Sequence, residues 1–145
     1  MNRKTSFLLV AILGASAVIF GAFGAHYLKE KLAATQLNSY QTGVTYHFYH
    51  TLAILGLLSA KGLFGNKLIQ ADKIFKQSTM LFLIGILCFS GSLYLLSCRD
   101  LIGLTSFKWL GPITPIGGVL FVMGWLNLLR INTEQIDDKP LDHNI

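Results

Sequence analysis

Apolar residues are gathered into four windows that contain no Asp, Glu, Lys or Arg. The windows are Ser6–Ala25, Val44–Ala60, Gln77–Cys98 and Trp109–Leu129, and all 12 basic and 7 acidic residues lie outside them. About 20 apolar residues in a helix cross the hydrocarbon core of a bilayer, which is about 30 Å thick. The pattern therefore predicts an all-α integral membrane four-helix bundle, with helices over about residues 6–27, 44–63, 77–98 and 109–130.

The segments between the windows are short and more polar. In Leu28–Gly43 the apolar residues have near-helical spacing, which predicts a short amphipathic helix on the outer surface. Gly62–Asn66 predicts a turn, and Asp72–Lys76 is a polar lead-in to the third window. Residues 1–130 are thus predicted to form one membrane domain, and the acidic segment Ile131–Ile145 a disordered tail.

The first window also has features of a cleaved secretory signal peptide. Arg3 and Lys4 precede it, and Ala15-Ser16-Ala17 resembles a cleavage site. Its apolar character continues through Phe23, however, which exceeds the roughly 7–15 residues of a signal-peptide core. The length favours a retained membrane helix.

The basic residues are divided unevenly between the two sides of the predicted bundle. Eight lie at the N-terminus, in the second connection and in the tail, and four lie in the first and third connections. Since Lys and Arg favour the cytoplasmic side, both termini are predicted to be cytoplasmic. The net charge of +5 is accounted for by residues that flank the windows, so we expect no nucleic-acid partner. The eight are Arg3, Lys4, Lys61, Lys67, Lys73, Lys76, Arg130 and Lys139, and the four are Lys29, Lys31, Arg99 and Lys108.

Polar side chains are predicted to gather at the outer ends of the first three windows. With the N-terminus inside, the first helix leaves the membrane where the second enters it, which places the histidines there in the outer third of the membrane. His47 and His50, three residues apart, share a helix face. The candidate polar cluster consists of His26, Gln41, Tyr46, His47, Tyr49, His50 and Arg99.

Three interpretations of these histidines are open: a metal site, a functional polar cluster, or anchors that hydrogen-bond neighbouring helices. An HxxH pair is weak evidence for a metal, and no carboxylate lies within any window. Haem is disfavoured because two residues on one helix face cannot bind opposite sides of its ring. We favour anchoring, and expect neither a metal nor another cofactor.

Small residues recur within the windows at spacings that place several on one helix face. They allow the backbones of membrane helices to approach closely. Packing within the chain is the favoured interpretation, and a homo-oligomer interface is the alternative. The predicted packing residues are Gly14, Ala17, Gly21, Gly24, Ala25, Gly91, Gly117 and Gly118.

Several local motifs follow one another in a characteristic order. Together they resemble uncharacterised protein family 0382 (domain of unknown function 423), small four-span inner-membrane proteins similar to transmembrane protein 256. The resemblance covers roughly residues 1–130 and implies location and topology but no activity; at position 47 the family pattern is Gln rather than His. The motifs are Gly21-Ala-Phe-Gly-Ala-His26, Thr42-Gly-Val-x-Tyr-x-x-Tyr-His50, Gly85-Ile-x-x-Phe-Ser-Gly-Ser-x-Tyr94, Gly111-Pro-Ile-Thr-Pro-Ile-Gly-Gly118 and Gly124-Trp125.

These observations predict a multi-pass protein of the cytoplasmic (inner) membrane of a bacterium, surrounded by the lipid bilayer. We expect a non-enzymatic component that packs with itself, as a homo-oligomer, or with an unknown membrane partner, since no nucleophile–base pair or carboxylate dyad is visible. The alternative is a small carrier or channel with a polar site in the outer third of the membrane. It is disfavoured because the cytoplasmic halves of the windows hold few polar residues, among them Ser6, Ser16 and Asn127.

Overall fold

The computed structural model describes residues 3–64, 69–103 and 110–131. These residues form four helical spans. The first is α1 (Arg3–Ala25), the second is α2 (Ala34–Phe64) and the fourth is α5 (Ile113–Leu128). The third span is α3 (Ile69–Gly85), a π-helical segment (Ile86–Ser90) and α4 (Gly91–Cys98), which follow one another directly. A 3₁₀ turn, Leu28–Glu30, lies between α1 and α2, and the described residues include no β-strand.

The prediction of an all-α membrane bundle is confirmed. Two segments, Lys4–Glu30 and Ala71–Cys98, are long and apolar enough to cross a membrane, and α5 is a shorter apolar helix. Residues 62–64 of the predicted turn are the last residues of α2, and the predicted lead-in Asp72–Lys76 lies within α3. Residues 65–66 of the turn and residues 132–145 of the predicted tail lie outside the described residues.

The second span begins ten residues earlier than predicted, at Ala34. The carbonyl of Ala33 accepts the first helical hydrogen bond, from Leu37, and the Ala33 N–H donates to the side chain of Gln36 at 3.1 Å. The second contact is one half of a capping box. The prediction of a separate surface helix over Leu28–Gly43 was therefore wrong, because residues 34–43 are the first turns of α2.

Neighbouring spans are antiparallel, and their contacts fix which residues stand at the same height. A Cβ added to Gly24 would lie 2.8 Å from the ring of Tyr40, and one added to Gly14 would lie 3.9 Å from Thr51. At the next boundary, a Cβ on Gly43 would lie 3.0 Å from the ring of Tyr94. These pairs place the charge-free windows side by side, as a common bilayer requires.

Glycine and phenylalanine interlock along the boundary between the third and fourth spans. Phe82, Gly85 and Phe89 on the third span face Gly124, Phe121 and Gly117 on α5, in that order. A Cβ on Gly124 would overlap the ring of Phe82, one on Gly85 would lie 2.6 Å from Phe121, and one on Gly117 would overlap the backbone of Phe89. Each phenylalanine thus packs directly on a backbone, which only glycine permits here.

Most of the predicted packing residues lie between spans, but two do not. Gly14, Ala17, Gly21 and Gly24 lie on the side of α1 that packs against α2, and Ala17 is buried. Gly117 and Gly118 face Phe89. Ala25 is exposed, and a Cβ on Gly91 would meet only the carbonyl of Ile86, in the adjoining π-helical segment, at 4.0 Å.

Candidate functional site

His50 is buried between three spans and has a hydrogen bond at each ring nitrogen. Nδ1 lies 2.8 Å from the carbonyl of Tyr46, one turn earlier on α2. Nε2 lies 3.3 Å from Nε1 of Trp125 on α5. An indole nitrogen can only donate, so Nε2 of His50 accepts, and Nδ1 carries the proton that Tyr46 accepts. The geometry thus assigns the neutral Nδ1–H tautomer.

The ring of His50 is enclosed by aromatic side chains. It lies parallel to Phe121, with ring centroids 3.5 Å apart and planes within 6°. Phe82 is 5.2 Å away on α3, and Tyr46 is 6.0 Å away on α2 itself. Stacked and tilted rings of this kind each contribute about 0.5–1.5 kcal/mol beyond their buried area. We call this group the His50 cluster; its members are Tyr46, His50, Phe82, Phe89, Phe121 and Trp125.

His50 lies deeper in the bundle than the outer third predicted from the sequence. It is adjacent to Thr51, which faces Gly14 near the midpoint of the window Ser6–Ala25. The prediction of the outer third assumed that the second helix begins at residue 44. In the structure α2 begins at Ala34, so more than four helical turns precede His50.

His47 faces a different boundary, and its ring does not converge with that of His50. Its Nδ1 lies 3.2 Å from the hydroxyl of Tyr94 on α4, and its ring is 6.4 Å from Phe20 on α1. Nε2 of His47 is buried and has no hydrogen-bond partner among the residues that the structure describes. Residues three apart on a helix point about 60° apart, so the two rings enter different grooves, and the HxxH pair does not form a shared site.

The other members of the predicted polar cluster lie on the surface. His26 and Gln41 are exposed. Arg99 lies 3.6 Å from Asp100, whose other carboxylate oxygen accepts a hydrogen bond from Gln36 at 2.8 Å. Among the described residues, no three His, Cys, Asp or Glu side chains are grouped to hold a metal ion. The structure therefore brings together Tyr46 and His50, and leaves His26, Gln41 and Arg99 apart.

A groove of about 800 Å³ runs beside the His50 cluster, between the second and fourth spans. Tyr49, 61% exposed, and Tyr46, 40% exposed, line it on the α2 side. No hydrogen bond to either hydroxyl group is formed within the described part of the chain. The remaining lining residues are His50, Phe89, Pro115, Gly118, Val119, Phe121, Val122, Met123 and Trp125.

A second group of polar contacts joins the third and fourth spans near the C-terminal end of α5. Ser78 donates to the carbonyl of Gly124 at 2.9 Å. Asn127 donates to the carbonyl of Ile74 at 3.1 Å and lies 3.0 Å from the hydroxyl oxygen of Ser78. Towards the opposite end, the hydroxyls of Ser92 and Thr114 lie 2.6 Å apart. Polar side chains thus link these two spans on both sides of the His50 cluster.

Comparison with known proteins places the chain among small bacterial membrane proteins. The family model described as "Protein of unknown function (DUF423)" matches residues 20–118. A UPF0382 membrane protein of Staphylococcus saprophyticus is 41% identical over 126 residues, which cover 87% of this chain and 94% of the relative. The UPF0382 inner membrane protein YgdD of Escherichia coli K12 is 34% identical over 143 residues, 99% of each chain. No solved structure matches the sequence.

The chain belongs to the UPF0382 (DUF423) family. The resemblance noted in the sequence is thereby confirmed, and so is its location in the bacterial cytoplasmic membrane, where the lipid bilayer surrounds it. The family has no assigned biochemical function.

Sequence reasoning missed the partners that define the UPF0382 site. Phe121 and Trp125 belong to ordinary apolar sequence, and nothing local pairs them with His50, some 70 residues earlier. The spacing of Phe82, Gly85 and Phe89 matches that of Gly124, Phe121 and Gly117 taken in reverse order along the chain. This reciprocal pattern is the one available indication of the packing.

Proposed function

We propose that this UPF0382 protein is a non-enzymatic component of the membrane, which assembles with itself or with a larger membrane complex. The observation that carries the proposal is the double hydrogen bonding of His50 inside an aromatic cluster. A catalytic base or an exchangeable ligand needs a nitrogen that is free to react. Both nitrogens of His50 are instead used to hold neighbouring groups in place.

The distribution of the other polar groups argues against a carrier or channel. The His47–Tyr94 and Ser92–Thr114 pairs lie on one side of the His50 cluster, and the Ser78–Asn127 pair on the other. Between them the described residues place the packed rings of Phe82, His50 and Phe121. A transport path for ions or polar solutes requires polar or water-filled surroundings through the membrane, which this layer interrupts.

The exposed surface of α1 is available for assembly within the membrane. Only 17% of its most apolar window is buried inside the protein, compared with 33% for the corresponding window of the third span. Leu8, Ile12 and Ile19 are each more than half exposed and lie along one face. Such a face meets either lipid or a second protein.

Photocrosslinking in the native membrane tests this proposal. A benzoylphenylalanine residue replaces Ile12 on α1, and matched variants carry it at Leu87 on the third span and at Val122 on α5, all exposed. We expect protein crosslinks from one face, identified by mass spectrometry as a second copy or a distinct partner. Crosslinks to lipid alone from all three positions would contradict assembly. Solute or ion flux into proteoliposomes above that of protein-free vesicles would restore the carrier alternative.

A further inference from the structure

The groove between the second and fourth spans has the dimensions and lining of a ligand site. Its volume, about 800 Å³, lies within the range of about 300–1,000 Å³ typical of small-molecule sites. Aromatic rings, Phe89, Phe121 and Trp125 among them, line the wall next to the His50 cluster. Gly118 also lines the groove, and a Cβ added there would lie 3.8 Å from the ring of Phe89.

The depth of the groove restricts its occupant to molecules dissolved in the bilayer. Tyr49 and His50 precede Thr51, which stands beside Gly14 near the midpoint of the first window. The groove therefore opens at the level of the hydrocarbon, where lipid chains and lipid-soluble molecules have access and water is scarce.

The lining contains hydrogen-bond donors that the described part of the protein does not satisfy. The hydroxyls of Tyr46 and Tyr49 have no acceptor there. His50 cannot supply one, because its Nε2 already accepts from Trp125. Leaving a hydroxyl without a partner in an apolar medium is unfavourable. The matching occupant is one that brings an oxygen acceptor into the hydrocarbon.

We propose that this groove binds a lipid-soluble quinone, a flat ring with two carbonyl oxygens and an apolar tail. The ring packs on the aromatic wall, in the manner of His50 on Phe121, and a carbonyl oxygen accepts from Tyr46 or Tyr49. The tail follows Val119 and Val122 into the lipid. A saturated acyl chain would fill the volume but leave both hydroxyls unsatisfied. The proposal is of binding alone and goes beyond the structural role proposed above.

Tryptophan fluorescence provides the binding test, since Trp125 lines the groove and the chain has two tryptophans. Trp109→Phe leaves Trp125 as the reporter in phosphatidylcholine nanodiscs, which are titrated with decylubiquinone. We expect saturable quenching at one quinone per protein. The reverse variant, Trp125→Phe, measures quenching by quinone dissolved in the membrane. Unsaturable quenching of the same size in both variants would overturn the proposal.

Two further variants show whether the groove itself is responsible. Val119→Phe, in the Trp109→Phe background, fills the groove from an exposed position, and Val18→Phe makes the same change on the exposed surface of α1. We expect Val119→Phe to weaken the affinity for decylubiquinone at least tenfold and Val18→Phe to leave that affinity unchanged. The double variant Tyr46→Phe and Tyr49→Phe keeps the rings, removes the donors, and is expected to weaken binding similarly.

Analysis of lipids that copurify with the protein tests the same site without an added ligand. We expect quinone in extracts of the wild-type protein and its loss from the Val119→Phe protein at equal yield and melting temperature. Phospholipid without quinone in the wild-type extract, together with equal titrations of the Val119→Phe and Val18→Phe variants, would overturn the proposal in favour of an acyl chain.

Discussion

His50 makes two separable contacts with the fourth span, a ring stack on Phe121 and a hydrogen bond from Trp125. Glutamine keeps a donor and an acceptor but loses the stack, whereas leucine loses both. We expect His50→Gln to lower the free energy of unfolding by about 1 kcal/mol, the value of an aromatic pair. His50→Leu should lower it by a further ~0.6 kcal/mol, the mean for an interhelical hydrogen bond in membranes.

Thermal melts in detergent measure this ranking. Tyr49→Leu serves as a control, because Tyr49 is exposed and its hydroxyl has no partner in the described part of the protein. A His50→Leu protein with the melting temperature of the wild type would show that His50 does not anchor α5.

The identity of the polar residues could be taken from the sequence, but their grouping could not. His47 and His50 were correctly placed on one helix, yet the rings contact Tyr94 and Phe121 on different spans. Which groove a ring enters depends on the rotation of α2 between its neighbours. The spacing of residues within α2 cannot specify that rotation, because the rotation is set by contacts with residues far away in sequence.

At the scale of helices, adjacent glycines on α5 are expected to differ sharply. A Cβ on Gly117 would overlap the backbone of Phe89, which cannot move aside, whereas one on Gly118 would make an ordinary contact at 3.8 Å. We expect Gly117→Ala to lower the free energy of unfolding by about 1–3 kcal/mol, as overpacking does. Gly118→Ala, a matched change, should alter it little. Equal melting temperatures for the two variants would mean that the third and fourth spans do not approach this closely.

Substitutions at Gly21, where α1 packs against α2, are expected to affect stability in proportion to the size of the new side chain. An added Cβ would lie 3.4 Å from Val44, a tolerable contact, so Gly21→Ala is expected to melt close to the wild type. Gly21→Leu must displace α2 or the side chain of Val44 and should lower the free energy of unfolding by about 1–3 kcal/mol. Wild-type stability of the leucine variant would show that Gly21 faces lipid.

The start of α2 makes a stabilising substitution available. Ala33 occupies the N-cap position, where its side chain cannot accept a hydrogen bond from the first turn. Ala33→Ser should stabilise the protein by about 1 kcal/mol, the usual difference between serine and alanine at an N-cap. Ala34→Ser, one residue inside the helix, is the matched control and should give no gain. A gain from neither variant would argue that the helix starts elsewhere.

A nearby charge marked the end of the third span but not its start, because α3 begins at Ile69 and includes Asp72, Lys73 and Lys76, whereas the sequence predicted a start at residue 77. The third span ends at Cys98, as predicted, just before Arg99 and Asp100. The start of α2 was missed because hydropathy declines gradually through Thr35–Thr45. The stretch Leu32–Ala60 contains no charged residue, which was the indication of a longer helix. The π-helical segment Ile86–Ser90 has no sequence feature that we recognise as its cause.

At the scale of the whole molecule, the orientation of the four spans remains a prediction from the distribution of basic residues. The 8:4 division of Lys and Arg predicts that Ser39 lies outside and Lys73 inside. Single cysteines at these exposed positions, in a variant with Cys88 and Cys98 replaced by serine, should react differently with an impermeant thiol reagent. We expect labelling of position 39 in intact cells and of position 73 only after lysis. The reverse pattern would invert the topology.

Polar groups within the bundle hold its helices together, and His50 is the main example. Nitrogen-15 NMR of the histidine-labelled protein in nanodiscs observes this directly, with His50→Gln used to assign the resonances. We expect a neutral His50 ring with the proton on Nδ1 and with the Nε2 resonance shifted as that of a hydrogen-bond acceptor, a shift that Trp125→Phe removes. A proton on Nε2, or an Nε2 resonance that is unchanged in Trp125→Phe, would contradict it.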